Sequence, residues 1–205
     1  MKILVIGATG MVGSRITSEG AARGHDIIAA SRKGDANAGP HVTPIALDIN
    51  DVDALREQAA KVDLVVSAVS PRITGDAVGD ARKFTKALIE AVGTTRLIQV
   101  GGASSLNAPD GSALIDHAPP EYRAEAQAML AAHDMLAASD IDWTVQAPAL
   151  TIAPGERTGK ARLGDRTVVM DENGESTISA EDFAVVLLDE AEKPAHRRTI
   201  YNAAY

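Results

Sequence analysis

Short apolar runs without polar alternation, separated by stretches of helical spacing, constrain this chain more than any other feature. Residues 3–6, 26–30, 45–47, 63–69, 97–100 and 142–146 have strand length and are mostly Val, Ile or Leu. Continuous apolarity marks strands buried on both faces, which is the pattern of a parallel sheet. Helical segments lie between them. Residues 11–22 follow the first run, and residues 52–60 follow Asn50 and Asp51, either of which suits an N-cap. Residues 76–92 place Ala77, Ala81, Phe84 and Leu88 three and four apart, and residues 121–138 follow Pro119 and Pro120. Ser179, Ala180, Glu181 and Asp182 resemble a capping box before the apolar run 183–188. Strand and helix alternating in this way predict βαβ units, hence a doubly wound, mostly parallel α/β sheet with helices on both faces.

The remainder is less regular. Residues 101–120 read as a long polar loop, and residues 153–170 as a Gly-, Arg- and Lys-rich stretch ending in a strand-like Thr167–Met170. A closing strand is expected at 199–205. With no repeat, linker or low-complexity tract, one domain over 1–205 is expected, with substrate-side loops at 101–120 and 150–170. An open α/β sheet builds its ligand crevice at such loops.

Composition removes several classes of chemistry. The chain has 205 residues and no cysteine, which excludes disulfides, thiolate nucleophiles and cysteine-based metal centres. Its five histidines show no ligand spacing, so no metal is expected. A net charge of −8, from 28 acidic and 20 basic residues, argues against a nucleic-acid partner, and 3% aromatics leaves few stacking platforms. The N-terminal apolar run Ile3, Leu4, Val5, Ile6 stops at Gly7, short of the ~7–15 residues of a signal h-region. A cytoplasmic protein with no membrane partner is expected, as monomer or homodimer.

The first strand runs directly into Gly7, Ala8, Thr9, Gly10, Met11, Val12 and Gly13, a G-x-x-G-x-x-G turn that opens the first helix. Such a turn aims backbone N–H groups of a helix N-terminus at a pyrophosphate. Gly7 permits the turn, Gly10 lets backbone approach the phosphates, and Gly13 lets helix and sheet pack closely. At the tip of the second strand stand Ser31, Arg32 and Lys33. A cation there suits a 2′-phosphate, so NADP, with NADPH preferred over NADH, is the expected cofactor; Asp35 nearby leaves NAD open. Asp48 and Ile49 follow the third run and could meet an adenine, although Asp48 equally competes with Asn50 and Asp51 for a helix cap. Ala68, Val69 and Ser70 after the fourth run are small enough for close backbone passage beside a cofactor. Arg72, Arg157 and Lys160 fall in crevice loops, where they could meet a phosphate or an acidic substrate; surface ion pairing is their commoner fate.

On these residues the sequence resembles the atypical short-chain dehydrogenase/reductase group, in particular small NADPH-dependent flavin reductases, the biliverdin-IXβ reductase type and NmrA-like proteins. The likeness rests on residues 2–13, Ser31 and Arg32, Leu47 and Asp48, residues 63–70, the segment 137–145 with Pro148, and residues 179–184. The chain departs from the superfamily's Tyr-x-x-x-Lys: Tyr122 has Ala126 four residues on, and the alternative register supplies Glu125 and Met129. The resemblance implies a reductase that passes hydride to a flavin, quinone or similar flat small-molecule acceptor without that dyad. Ser104 (or Ser105) and His133 then stand as the catalytic candidates. His133 shares the 4, 3, 4, 3 stripe of Tyr122, Ala126, Met129 and Leu136, which suits a packed histidine as well. Tyr122 and His133 lie eleven residues apart, ~16 Å along a helix, too far to serve one atom together. A non-enzymatic NmrA-like dinucleotide sensor is the alternative. A nucleotide-sugar epimerase is the third reading, weakened by the missing dyad.

Overall fold

Each continuous apolar run contributes to a strand of one sheet. In the computed structural model, which describes residues 1–205, the first six strands are β1 (Lys2–Ile6), β2 (Asp26–Ser31), β3 (Val42–Ala46), β4 (Leu64–Ser67), β5 (Arg96–Val100) and β6 (Trp143–Ala147). They pair in parallel in the order β3-β2-β1-β4-β5-β6. The chain therefore steps outward one way from β1 to β3, then returns to β4 on the other side of β1. That reversal is the topological switch point of a doubly wound sheet, and it opens a crevice at the carboxyl ends of β1 and β4.

Five α-helices cover the sheet: α1 (Met11–Ala22), α2 (Val52–Ala59), α3 (Ala77–Ala91), α4 (Arg123–Ala137) and α5 (Ala180–Glu192). Alternate residues of β1 face opposite cores. Ile3 and Val5 pack with Ile16 of α1 and with Phe183 and Leu187 of α5. Leu4 and Ile6 pack with Leu55 of α2, Phe84 of α3 and Leu136 of α4. Two packed faces explain why these strands show no polar alternation.

The segments with mixed composition hold the departures. β7 (Thr151–Ala153) and β9 (Thr177–Ser179) form a separate two-stranded parallel ribbon. β8 (Arg162–Gly164) lines the sheet edge antiparallel to β10 (Thr199–Ala204), which is itself parallel to β6. The closing strand is thus where the sequence places it, whereas Thr167–Met170 is not a strand. Thr167 makes only an isolated bridge to Asn107, and the Val169 amide donates to the Asn202 side chain at 2.9 Å. The outer edge of β10 is already taken by β8, so this segment turns inward and buries Val168 instead. Helix α4 also starts later than the prolines suggest, because Pro119 and Pro120 accept the Tyr122 and Arg123 amides in a turn ahead of it.

Candidate functional site

The crevice at the switch point is floored by the glycine turn. Gly7 adopts φ +83°, a left-handed conformation that favours glycine, and its amide and that of Ala8 both donate to the Ala30 carbonyl at 3.0 and 3.1 Å. A Cβ on Gly7 would lie 2.7 Å from the Ala68 carbonyl oxygen, so β1's turn and the strand end at Ala68 touch backbone to backbone. A Cβ on Gly13 would stand 2.1 Å from the Gly7 carbonyl oxygen, so helix α1 can seat against the turn only with glycine there. At Gly10 the corresponding distance is 3.3 Å, again to Gly7.

The result is a helix start with open donors. Gly10 caps α1 with no side-chain hydrogen bond, and the first turn holds no acidic residue. The Gly10 amide closes on Gly7 and the Ser14 amide on Gly10, whereas the amides of Thr9, Met11, Val12 and Gly13 find no acceptor within the protein. An anion at this point would receive both direct N–H donors and the positive end of the helix dipole. The glycines give a cradle without side chains, so the residues present fit the pyrophosphate of a dinucleotide.

Around this cradle the structure gathers most of the residues singled out above. Ser31 ends β2 and is buried; its hydroxyl donates to Asp35 Oδ1 at 2.7 Å, and the Asp35 amide returns to Ser31 Oγ at 3.2 Å. That hydroxyl holds the Asp35 carboxyl below its usual range. Arg32 and Lys33 project into solvent beside this turn and make no ion pair. Ala68 and Val69 are half-buried and Ser70 exposed on the other wall. Asp48 Oδ1 accepts from the Asn50 amide at 2.9 Å, and Asp51 takes the cap of α2 through the Ala54 amide. Asp48 is thereby left exposed at the crevice, while Ile49 is 5% exposed within the core and offers little face to a ligand.

Ser104 and His133 are not brought together. Ser104 follows β5 and donates to the Ala126 carbonyl in the first turn of α4, at 2.8 Å, so it stands at the carboxyl end of the sheet. His133 lies seven residues further along α4, ~10 Å down its axis. There it is 5% exposed and meets Trp143 edge-on, with ring centroids 6.0 Å apart. Trp143 is the first residue of β6, at the amino end of the sheet. Burial pushes the His133 pKa down, against a 3.2 Å contact to Asp134 that works the other way. His133 is the packed histidine that its helical stripe allows, not a neighbour of the crevice.

The loop cations also resolve. Arg72 pairs with Glu125 at 2.5 Å across the loop after β4 and the first turn of α4. Arg157 grips Glu19 through two contacts of 2.8 Å, and Lys160 makes no ion pair. The sequence gives no sign of Asp182 as an anchor, because its role needs contacts from distant segments. It is fully buried and accepts from the Thr158 and Gly159 amides, each at 2.8 Å, from the Thr158 hydroxyl, and from the Tyr205 hydroxyl at 2.8 Å. These donors, with Thr158 first among them, keep its carboxyl below the usual range despite burial. The loop between β7 and β8 is thus tied to the start of α5.

A doubly wound parallel sheet whose first βα turn is a bare glycine cradle defines a dinucleotide-binding α/β protein. Residues 7–194 match the model of the NAD(P)H-binding family, and the chain belongs to that family. It is 31% identical over 209 residues to the uncharacterised protein YwnB of Bacillus subtilis, covering 96% of this chain and 95% of that one. A solved structure from Burkholderia pseudomallei, provisionally named an exported protein, superposes with TM-score 0.89 at 39% identity, covering all of both chains. Another from Streptococcus pneumoniae, provisionally named an NADH-flavin reductase, gives TM-score 0.89 at 30% identity, covering 100% of this chain and 99% of that one. No helix of this chain is long and apolar enough to cross a membrane.

Proposed function

We propose that this protein is an NADPH-dependent reductase that passes hydride to a flavin, quinone or similar flat acceptor. The observation that carries the reading is the start of α1: four unclaimed amides over three glycines whose side-chain positions are filled by backbone. In this reading the amides of Thr9, Met11, Val12 and Gly13 hold the pyrophosphate, and Ala68, Val69 and Ser70 form the wall beside it. Arg32, exposed and free of ion pairs, meets the 2′-phosphate. Asp35 does not compete for a ribose hydroxyl as readily as a free carboxylate would, because Ser31 already occupies one of its oxygens. Asp48 offers an acceptor to the adenine amino group.

A reduced nicotinamide supplies the hydride when bound. The chain's own residues then bind and orient. Ser104 spends its proton on the Ala126 carbonyl, so its oxygen is left to accept a hydrogen bond at the carboxyl end of β5. No Tyr–Lys couple is present to deliver a proton: Tyr122 is 61% exposed at the start of α4, and Glu125 is committed to Arg72. This suits acceptors whose reduced form takes its proton from solvent. It also favours the second reading, a dinucleotide sensor without turnover.

Oxidation of NADPH and of NADH, followed at the nicotinamide absorbance with a panel of flavins and quinones, separates the two. Turnover with at least one flat acceptor is expected. Binding without turnover for any acceptor would decide for the sensor. In the same assay Arg32→Ala is expected to weaken NADPH by about tenfold and leave NADH unchanged, since a charge-assisted bidentate contact is lost only for the phosphorylated cofactor.

A further inference from the structure

Helix α1 carries one cation, Arg15. It sits one turn in from the open amides, on the same side of the helix as Met11. Its guanidinium is held at three points. Nε donates to Glu181 Oε1 at 2.9 Å, Nη1 to the Met11 carbonyl at 3.2 Å, and Nη1 also reaches Ser14 Oγ at 3.4 Å. Nη2 has no acceptor. Glu181 is fixed in turn, since its other oxygen accepts the Gly155 amide at 2.7 Å. The side chain is 32% exposed, so its free edge opens to solvent and not into packing.

The other arginines of this face differ. Arg157 closes its fork on Glu19 through Nε and Nη2, whereas Arg23 donates from Nε to Glu19, from Nη1 to Asp189 and from Nη2 to the Val185 carbonyl, so neither keeps a free Nη2. Arg15 is therefore a charge tied to the first turn of α1 through the Met11 carbonyl, with its orientation set by neighbours and two donor hydrogens to spare.

We infer that Arg15 is a positioning cation of the pyrophosphate, that its free Nη2 supplies a charged donor next to the Met11 amide, and that Glu181 holds the guanidinium ready. The inference rests on the dinucleotide reading of the site and adds a phosphate contact outside the glycine turn. A half-exposed Arg–Glu pair contributes little stability by itself. A guanidinium whose plane is already fixed, however, loses less freedom when it binds a phosphate oxygen.

Isothermal titration with ADP-ribose, NADPH and 2′-AMP tests this without any turnover. Arg15→Ala is expected to weaken ADP-ribose and NADPH by about tenfold, the scale of one charge-assisted contact. Binding of 2′-AMP, which has no pyrophosphate, is expected to stay the same. Arg15→Lys keeps the charge without the fork and should recover part of the loss. Glu181→Gln should weaken ADP-ribose by about threefold through looser placement of Arg15. The Arg15→Ala loss should shrink in high salt, as a charge effect does. Unchanged ADP-ribose affinity in both Arg15 variants would overturn the inference, as would an equal loss for 2′-AMP, which marks a general structural effect. Failure of the wild-type protein to bind ADP-ribose and NADPH would instead overturn the dinucleotide reading itself.

Discussion

The starts of α1 and α5 lie side by side, since the two helices pack on the same face of the sheet, and they are built in opposite ways. Helix α5 satisfies itself. Ser179 caps it by accepting the Asp182 amide at 2.9 Å, and its first turn carries Glu181 and Asp182, both engaged by neighbouring segments. Helix α1 has a glycine cap, no acid in its first turn and four amides without acceptors. Helices α2 and α3 follow the pattern of α5, with Asp51 and Asp76 as caps. An uncapped start is a cost that a chain able to place aspartates elsewhere could easily remove. Helix α4 also starts without a side-chain cap, at Tyr122, but only α1 starts at the switch point over glycines packed against backbone, and in the proposed reading its open donors receive the pyrophosphate. A capped start belongs to the scaffold.

Giving α1 the kind of cap that α5 has is the sharpest way to break this contrast. Gly10→Asp places a carboxylate where the pyrophosphate would sit, and dinucleotide affinity is expected to fall by at least about a hundredfold. A fluorescence titration with NADPH measures it; retained affinity would show that these amides are not the phosphate donors. The converse change at α5 should touch stability alone. Asp182→Ala strands two amides and two hydroxyls around a buried site, and a loss of about 3 kcal/mol in denaturant unfolding is expected. Ser179→Ala removes one cap and should cost about 1 kcal/mol, with NADPH affinity intact.

The ion cluster that ties α1 to its neighbours gives the smallest effect and a pH signature. Arg157, with Arg23 beside it, holds the Glu19 carboxyl down at about 2, from an ordinary 4.5. A carboxylate depressed on folding adds stability that is fully present above about 4.5 and is lost as pH falls toward about 2. Melting temperatures measured across that window should decline less steeply for Glu19→Gln than for the wild type. Equal slopes would assign the acid sensitivity to other carboxylates.

Legibility followed the range of the interactions. The parallel strands, the five helices and the glycine turn could be read directly, because each is written in local spacing of apolar residues, caps and glycines. Helix α1 was legible to the residue, since Met11 follows the glycine cap directly. The segment after β6 was not, because β7, β8 and β9 are each three residues long and gain their pairing from partners far along the chain. Thr167–Met170 has strand composition, yet β8 holds the side of β10 beside it. His133 shows the same limit at the site. Its spacing suits a catalytic residue or a core residue equally, and only the packing of α4 on Trp143 separates the two.

By itself, then, the sequence determined the class of fold and the presence of a glycine turn at the start of the first helix, because both depend on residues adjacent in the chain. Tertiary structure decided which charges are spent and which remain. Glu19 is closed by Arg157, Glu125 by Arg72 and Asp182 by the loop after β7, while Arg32 and one edge of Arg15 stay open beside the cradle. A charge is neutral to its surroundings or available to a ligand according to what lies within a few ångströms of it. That distance is set by helices and loops meeting in space, and no local pattern records it.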